Sequence, residues 1–182
     1  MNPAASADTF PRLLAHHART RPRATAIREK DLGIWQTWTW QQMQQEVTEV
    51  AAGLFQAGFK RGQHLAIIGE NRPRLYFTMT AVQCLGGIPV PMYEDATAAE
   101  MAFVFDNAEI QFAVVEDQEQ VDKVLEIREK VPHLQQIFYD DARGLRHYQQ
   151  AGLQSYEALR AGGQQALKQQ PTVIDDEIAK GR

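Results

Sequence analysis

The side chains with the most chemical potential are four acidic groups, Glu70, Glu94–Asp95, Glu116–Asp117 and Asp140–Asp141. Each follows a short apolar run. Carboxylates gathered at strand ends can hold a hard cation such as Mg²⁺ or act as an acid and base pair. The same positions are also where helices begin. There a carboxylate accepts from free backbone N–H groups and offsets the helix dipole. Asp95, Asp117 and Glu100 fit that structural role, so the expectation is caps and first-turn acids on a negative rim that would repel phosphate. The other reactive residue types lack a pattern. His16, His17, His64, His133 and His147 show no metal-ligand spacing, and the adjacent pair would point to different helix faces. Cys84 lies among Ala81, Val82 and Leu85 with no base nearby, as a packing residue does. Serine occurs only at Ser6 and Ser155, and no nucleophile elbow is present. None of the 12 glycines forms a Gly-x-Gly pair, so neither a dinucleotide fingerprint nor a Walker-type loop exists. Residue type and spacing therefore assign no catalytic, cofactor-binding or metal-ligating residue.

These acids need elements to position them. The segment DTFPRLLAHHART spaces Phe10, Leu13, Leu14 and His17 for a helix, with Asp8 or Thr9 as cap and Pro11 in the first turn. Its Arg12, Arg19, Arg21 and Arg23 read as a solvated basic face, with an anionic ligand or membrane surface as the functional alternative. A hairpin follows: Ala24–Lys30, a turn at Asp31-Leu32-Gly33, and Ile34–Thr39. Trp38 and Trp40 are expected on one face, with Trp35 on the other, packing core and edge. Thr39-Trp40-Gln41-Gln42 forms a capping box for a helix that buries Met43, Val47, Val50 and Leu54 and stops at Gly58.

From His64 onward strands and helices alternate. Leu65–Ile68, Ile88–Pro91, Phe112–Val115 and Gln136–Tyr139 read as buried parallel strands. Asn71 and Pro73 open a helix that ends at Gly86–Gly87. A second capping box, Thr97 to Glu100, opens one bearing Met101, Val104 and Phe105. Asp117 caps a third, with Val121, Val124, Leu125 and Val131 on its inner face, ended by Pro132. The fold class is thus α/β: an open, mainly parallel sheet with helices on both faces, preceded by a helix and a β-hairpin. Beyond Asp141 the pattern weakens. Ser155–Leu159 reads as a short helix, GGQQALKQQ (162–170) as a polar loop, and PTVIDDEIAKGR as a connector with no core to join. The expected organisation is an α/β unit over 1–148 and a loop or linker over 149–182.

Composition narrows the class. The 182 residues fit one domain, with an apolar fraction of 44% sufficient for a core. A net charge of −4 argues against a nucleic-acid binder. One cysteine permits no internal disulfide and fits a reducing compartment. The first twenty residues lack the pattern of a signal peptide. Leu75–Tyr93 is uncharged over 19 residues, but Gln83, Gly86–Gly87, Pro89 and Pro91 divide it into helix and strand, so no transmembrane segment is expected. The expected location is cytoplasmic, with peripheral membrane contact as an option.

Three motifs in order carry a family resemblance. Trp38-Thr39-Trp40 leads into a helix. Gly69-Glu70-Asn71-Arg72-Pro73 follows a buried strand. Gly86-Gly87-Ile88-Pro89-Val90-Pro91-Met92-Tyr93 spans a glycine stop and a strand. Together they resemble the N-terminal portion of adenylate-forming (AMP-binding) enzymes, the long-chain fatty acyl-CoA synthetases in particular, whose turns read aromatic-Thr-Tyr/Trp, Ser/Gly-Glu-Asn-Arg-Pro and Gly-Gly/Ala-x-x-x-Pro-x-Tyr. VVEDQEQVDKVLEI is similar to the long-chain branch, and the resemblance runs to about Tyr148. It departs at Glu94-Asp95, where small residues, Pro or Thr are common in the family. The resemblance implies a two-step reaction in the whole enzyme. ATP and a fatty acid form an acyl-adenylate, which coenzyme A then attacks, with Mg²⁺ offsetting phosphate charge. The family's phosphate loop and catalytic lysine motifs do not occur in these 182 residues, so the chain is expected to be inactive alone and to bind no cofactor by itself. The expected partner is the remainder of a synthetase chain, with self-association through exposed apolar surface. The alternative is a stand-alone α/β interaction or scaffold module.

Overall fold

The computed structural model describes residues 8–181; Ser6 and Arg182 lie outside them. Helix α1 (Phe10–Thr20) has Thr9 at its cap position without a side-chain bond, while Asp8 pairs with Arg12 at 2.7 Å. Strands β1 (Thr25–Asp31) and β2 (Ile34–Thr39) form a separate antiparallel ribbon. Its turn places Leu32 and Gly33 at positive φ, 45° and 83°. Trp40 is not in the ribbon but opens helix α2 (Trp40–Gln56), because the Thr39–Gln42 capping box starts the helix there. Trp38 still packs inward, 5.9 Å from Phe77, whereas Trp35 stays exposed.

The sheet contains β3 (His64–Ile68), β4 (Ile88–Met92), β5 (Ile110–Val115), β6 (Gln136–Tyr139) and β7 (Leu153–Ser155), all parallel, in the order β4-β3-β5-β6-β7. Period-2 alternation divides its residues between two cores. Leu65, Ile67, Phe112, Val114 and Phe138 face α2, helix α3 (Pro73–Cys84) and the C-terminal helices. Ala66, Ile68, Ala113, Val115 and Ile137 face helices α4 (Ala98–Asn107) and α5 (Gln118–Ile127). The expected doubly covered parallel sheet is thus present. The expected inner face of α4 is narrower than its sequence pattern: Met101 and Phe105 are buried, Val104 only half-buried. The helix α5 stops at Ile127, and a 3₁₀ turn over Arg128–Lys130 carries the chain to buried Val131. No helix among the described residues is long and apolar enough to cross a membrane.

The reading of 149–182 as loop and connector is corrected. Leu153–Ser155 adds the fifth strand, Ser155 caps helix α6 (Tyr156–Gln169) by accepting from Ala158 N–H, and Val173–Ala179 forms α7. Tyr156, Leu159, Gly163 and Ala166 make a buried stripe on α6 at spacings of three and four. Gly163 and Gly53 of α2 allow the close approach: a Cβ on Gly163 would collide with the Glu49 backbone, and one on Gly53 with that of Leu159. Glycine costs helix propensity, but here it admits backbone contact that a side chain would block. The tail also joins the core, with Ile174 1% exposed. Arg61 donates to Glu177 O at 2.9 Å and Arg12 to Gly181 O at 2.7 Å, holding it down.

Candidate functional site

In an open parallel sheet, ligands bind at the carboxyl ends of the strands, where successive connections diverge to opposite sides. From β3 the chain moves to β4 at one side, then crosses to β5, β6 and β7 at the other. The divergence point therefore lies between the ends of β3 and β5, at Gly69–Arg72 and Glu116. The local sequence builds it tightly. Gly69 has φ 154°, a region that side chains rarely adopt, and a Cβ there would lie 2.7 Å from the Glu116 side chain. Glu116 accepts from Glu70 N–H at 2.6 Å and from Arg72 Nε at 2.7 Å. Arg72 also reaches Glu29 of β1 at 3.1 Å and Glu70 at 3.0 Å. Pro73 then opens α3 at a position where a missing N–H costs nothing. The crevice that remains is about 30 Å³.

A second arginine closes the neighbouring strand ends. Arg74 pairs with Asp140 after β6 and with Glu157 on α6, while its guanidinium lies 4.8 Å from the Tyr156 ring centre. Burial would lower the pKa of Arg74, but Asp140 and Glu157 outweigh it and raise it. Arg72 behaves in the same way, raised against burial by Glu116, Glu70 and Glu29. The hollow beside the crevice is lined by five carboxylates, Glu29, Asp31, Glu116, Asp140 and Asp141, and three guanidiniums, Arg72, Arg74 and Arg143. Arg143 is taken by Asp141, which also accepts from the Arg143 backbone N–H at 2.9 Å. Every one of those cations already has a carboxylate. On the other side, around Tyr93, the Glu94 carboxyl is pushed up by partial desolvation and by Glu70, Glu116, Asp95 and Asp117.

The rim is thus acidic, as its residues imply, but clamped rather than open. Asp117 and Glu100 do cap their helices, accepting from Gln120 N–H and Thr97 N–H. Asp95 does not, since Thr97 holds the cap position of α4. Glu116 and Asp140 serve as acceptors for Arg72 and Arg74. Sequence reasoning missed these arginines. Their signal was Arg72-Pro73-Arg74 directly after a strand, beside three further carboxylate-bearing strand ends.

Among the described residues this edge offers a triphosphate no uncommitted arginine, since Arg72, Arg74 and Arg143 are each paired. The crevice between β3 and β5 holds about 30 Å³, one water's share of liquid, while the flanking hollows of about 510 and 640 Å³ carry carboxylates that would repel phosphate. No group of three His, Cys, Asp or Glu among the described residues converges as a metal site. The histidines are scattered: His17 lies tilted against Trp40 with ring centres 4.5 Å apart, His64 begins β3, and His133 and His147 are exposed. Cys84 is buried and its thiol is pushed up to about 12 by that burial, which leaves it unreactive.

Comparison with known proteins supplies the context for a lobe of this shape. A long-chain-fatty-acid–CoA ligase of Xenopus laevis is 27% identical over 112 residues, which are 62% of this chain and 15% of that one. A corresponding ligase of Rattus norvegicus is 26% identical over 114 residues, 63% of this chain and 16% of its own length. The chain therefore spans only a small part of the ligases it matches. An uncharacterised protein of Mycobacterium tuberculosis is 34% identical over 103 residues, 57% of each chain. Among solved structures, the acetoacetyl-CoA synthetase of Streptomyces lividans superposes with a TM-score of 0.74 at 21% identity, covering 84% of this chain and 25% of that one. That likeness speaks to the fold alone. The model of the AMP-binding enzyme family matches residues 14–178, so that this chain, including the helices after residue 148, belongs to the AMP-binding enzyme family.

Proposed function

We propose that this chain is the N-terminal part of an ATP-dependent long-chain fatty acid–CoA ligase and performs no chemistry alone. In the whole enzyme, acyl-adenylate would form from ATP and fatty acid, with Mg²⁺, and coenzyme A would then take the acyl group. This chain's part is to fold as an α/β lobe against which the remainder of the synthetase docks. The observation that carries the reading is the family match over residues 14–178 combined with a strand-end crevice whose arginines are all committed to internal carboxylates. A chain of this kind would work in the cytoplasm, with or without a peripheral membrane contact. Incubation of the purified chain with ATP, Mg²⁺, palmitate and coenzyme A should give neither pyrophosphate nor palmitoyl-CoA by mass spectrometry. Turnover by the chain alone would sink the claim that its chemistry lies elsewhere.

A further inference from the structure

Exposed apolar side chains and uncommitted cations meet on one element, α1, which has no part in the clamped strand ends. Residues 9–28 contain five arginines and no Asp or Glu. Among the described residues Arg19, Arg21, Arg23 and Arg28 form no ion pair, whereas Arg72, Arg74, Arg143 and Arg160 each do. Helix α1 buries Pro11, Leu14 and Ala18 against the body of the protein. Phe10, Leu13, His17 and Thr20 recur at spacings of three and four and so share a second face. On it Phe10 is 68% and Leu13 37% exposed. Phe10, Leu13 and His17 also line a cleft of about 300 Å³ with Trp40 and Met79, and no Asp or Glu lines it. Arginines flank this face on both sides. Arg21 lies over the Trp40 ring on the cleft side, 4.9 Å from its centre. Arg19 lies with His16 on the opposite flank, at a hollow where Asp175 is the one carboxylate. Arg23 is exposed just beyond the helix.

Apolar side chains flanked by free guanidiniums complement the surface of an anionic bilayer. Phe and Leu enter the boundary between headgroups and acyl chains, while arginines stay among the lipid phosphates and carboxylates. A free inorganic anion would satisfy the guanidiniums but leave Phe10 and Leu13 in water. The protein as a whole carries a net charge of −4, so an anionic surface repels it unless one basic face is presented. We propose that α1 is a docking face for an anionic lipid bilayer, with Phe10 and Leu13 inserted and Arg19, Arg21 and Arg23 at the headgroups. The helix lies along the bilayer surface and does not span it. The proposal specifies the membrane contact that the ligase reading leaves open, yet it rests on α1 alone and needs no ligase chemistry.

Flotation of the whole chain with lipid vesicles tests it. Vesicles of three parts phosphatidylcholine to one part phosphatidylserine should bind the chain at least about tenfold more tightly than phosphatidylcholine alone, and raised salt should release it. Arg19→Gln, Arg21→Gln and Arg23→Gln should each weaken binding to the anionic vesicles by about fivefold. Phe10→Ser should weaken it by about tenfold in a chain that melts like the parent, because Phe10 is exposed in the free protein. Arg146→Gln, at an exposed arginine far along the chain, should change nothing. Absence of binding to the anionic vesicles, equal binding to phosphatidylcholine alone, indifference to Phe10→Ser, or an equal loss with Arg146→Gln would overturn the proposal. So would a chain that ignores both vesicles but binds polyglutamate through Arg19, Arg21 and Arg23, since an acidic protein would then be the partner of this face. The vesicles contain no free fatty acid, ATP or coenzyme A, so a negative result leaves the ligase reading to its own assay.

Discussion

Gly69 and the pair Glu46 and Glu49 show how much single residues decide in this molecule. Gly69 combines φ 154° with a Cβ position 2.7 Å from Glu116. Gly69→Ala should therefore destabilise by about 2 kcal/mol, the usual cost of a strained backbone, and loosen the Glu116–Arg72 pair. Urea denaturation reads this directly, and unchanged stability would contradict the tight closure. Glu46 and Glu49 both reach Arg160 from buried positions on α2, at 3.1 Å and 2.6 Å. Burial pushes the Glu46 carboxyl up even with Arg160 and Arg74 near it. Burial acts on Glu49 too, but hydrogen bonds from Arg160, Gln45 and Gln164 outweigh it and lower its pKa. The signs are opposite. The Glu49 contribution is present above the ordinary carboxylate value and is lost as pH falls through its lower folded value. Glu46 is easier to bury protonated, so its cost appears as pH rises from the ordinary value through the raised one. Glu49→Gln should cost about 2 kcal/mol at pH 7 by weakening a buried pair, with a smaller loss on acidification. Glu46→Gln should leave stability at pH 7 unchanged or higher. Melting curves at pH 3 to 7 distinguish the two, and equal behaviour would refute the assignment.

At the scale of elements, α6 carries the largest departure from expectation. Its GGQQALKQQ run is polar and contains two adjacent glycines, which reads as a loop. Only one of those glycines is needed for packing. Gly163 meets the α2 backbone, whereas a Cβ on Gly162 would find only Gln56 Oε1, at 3.7 Å. Gly163→Val should thus unseat α6 and cost about 3 kcal/mol or more through overpacking. Gly162→Ala should stabilise by up to about 1 kcal/mol through helix propensity. Hydrogen exchange across Tyr156–Gln169 would separate the two, and similar effects of both would refute the glycine seam. The capping boxes at Thr39 and Thr97 form as their spacing implies, because a cap is settled within four residues. The short β7 has no period to read. It exists because β6 offers it a parallel edge.

The whole molecule leaves apolar side chains uncovered in several places. Tyr93, just after β4, is 88% exposed, Phe103 on α4 is 72% exposed, and Ile34 and Trp35 are exposed on the ribbon. The outer strand β4 contains Pro89 and Pro91, which lack the N–H groups needed to recruit another strand. Any partner on that side must bind through side chains rather than by extending the sheet. The purified chain should self-associate at micromolar concentration, with a melting temperature that depends on concentration. Sedimentation velocity checks this, and a monomer with a concentration-independent melt would count against it.

The sequence by itself determined the elements up to Tyr139, the two capping boxes, the glycine helix stops and the parallel α/β class. All of these rest on periodicity or on contacts a few residues apart. It also contained the Glu-Asn-Arg-Pro turn that carries the family resemblance. Only the tertiary structure decided that Arg72 and Arg74 close the strand ends, since their carboxylate partners other than Glu70 lie 43 to 83 residues away along the chain. It likewise decided that residues 155–181 pack against the core. A helix with weak local preference forms there because α2 presents a glycine and two carboxylates at the matching height, and no local pattern can encode a surface supplied by a distant segment.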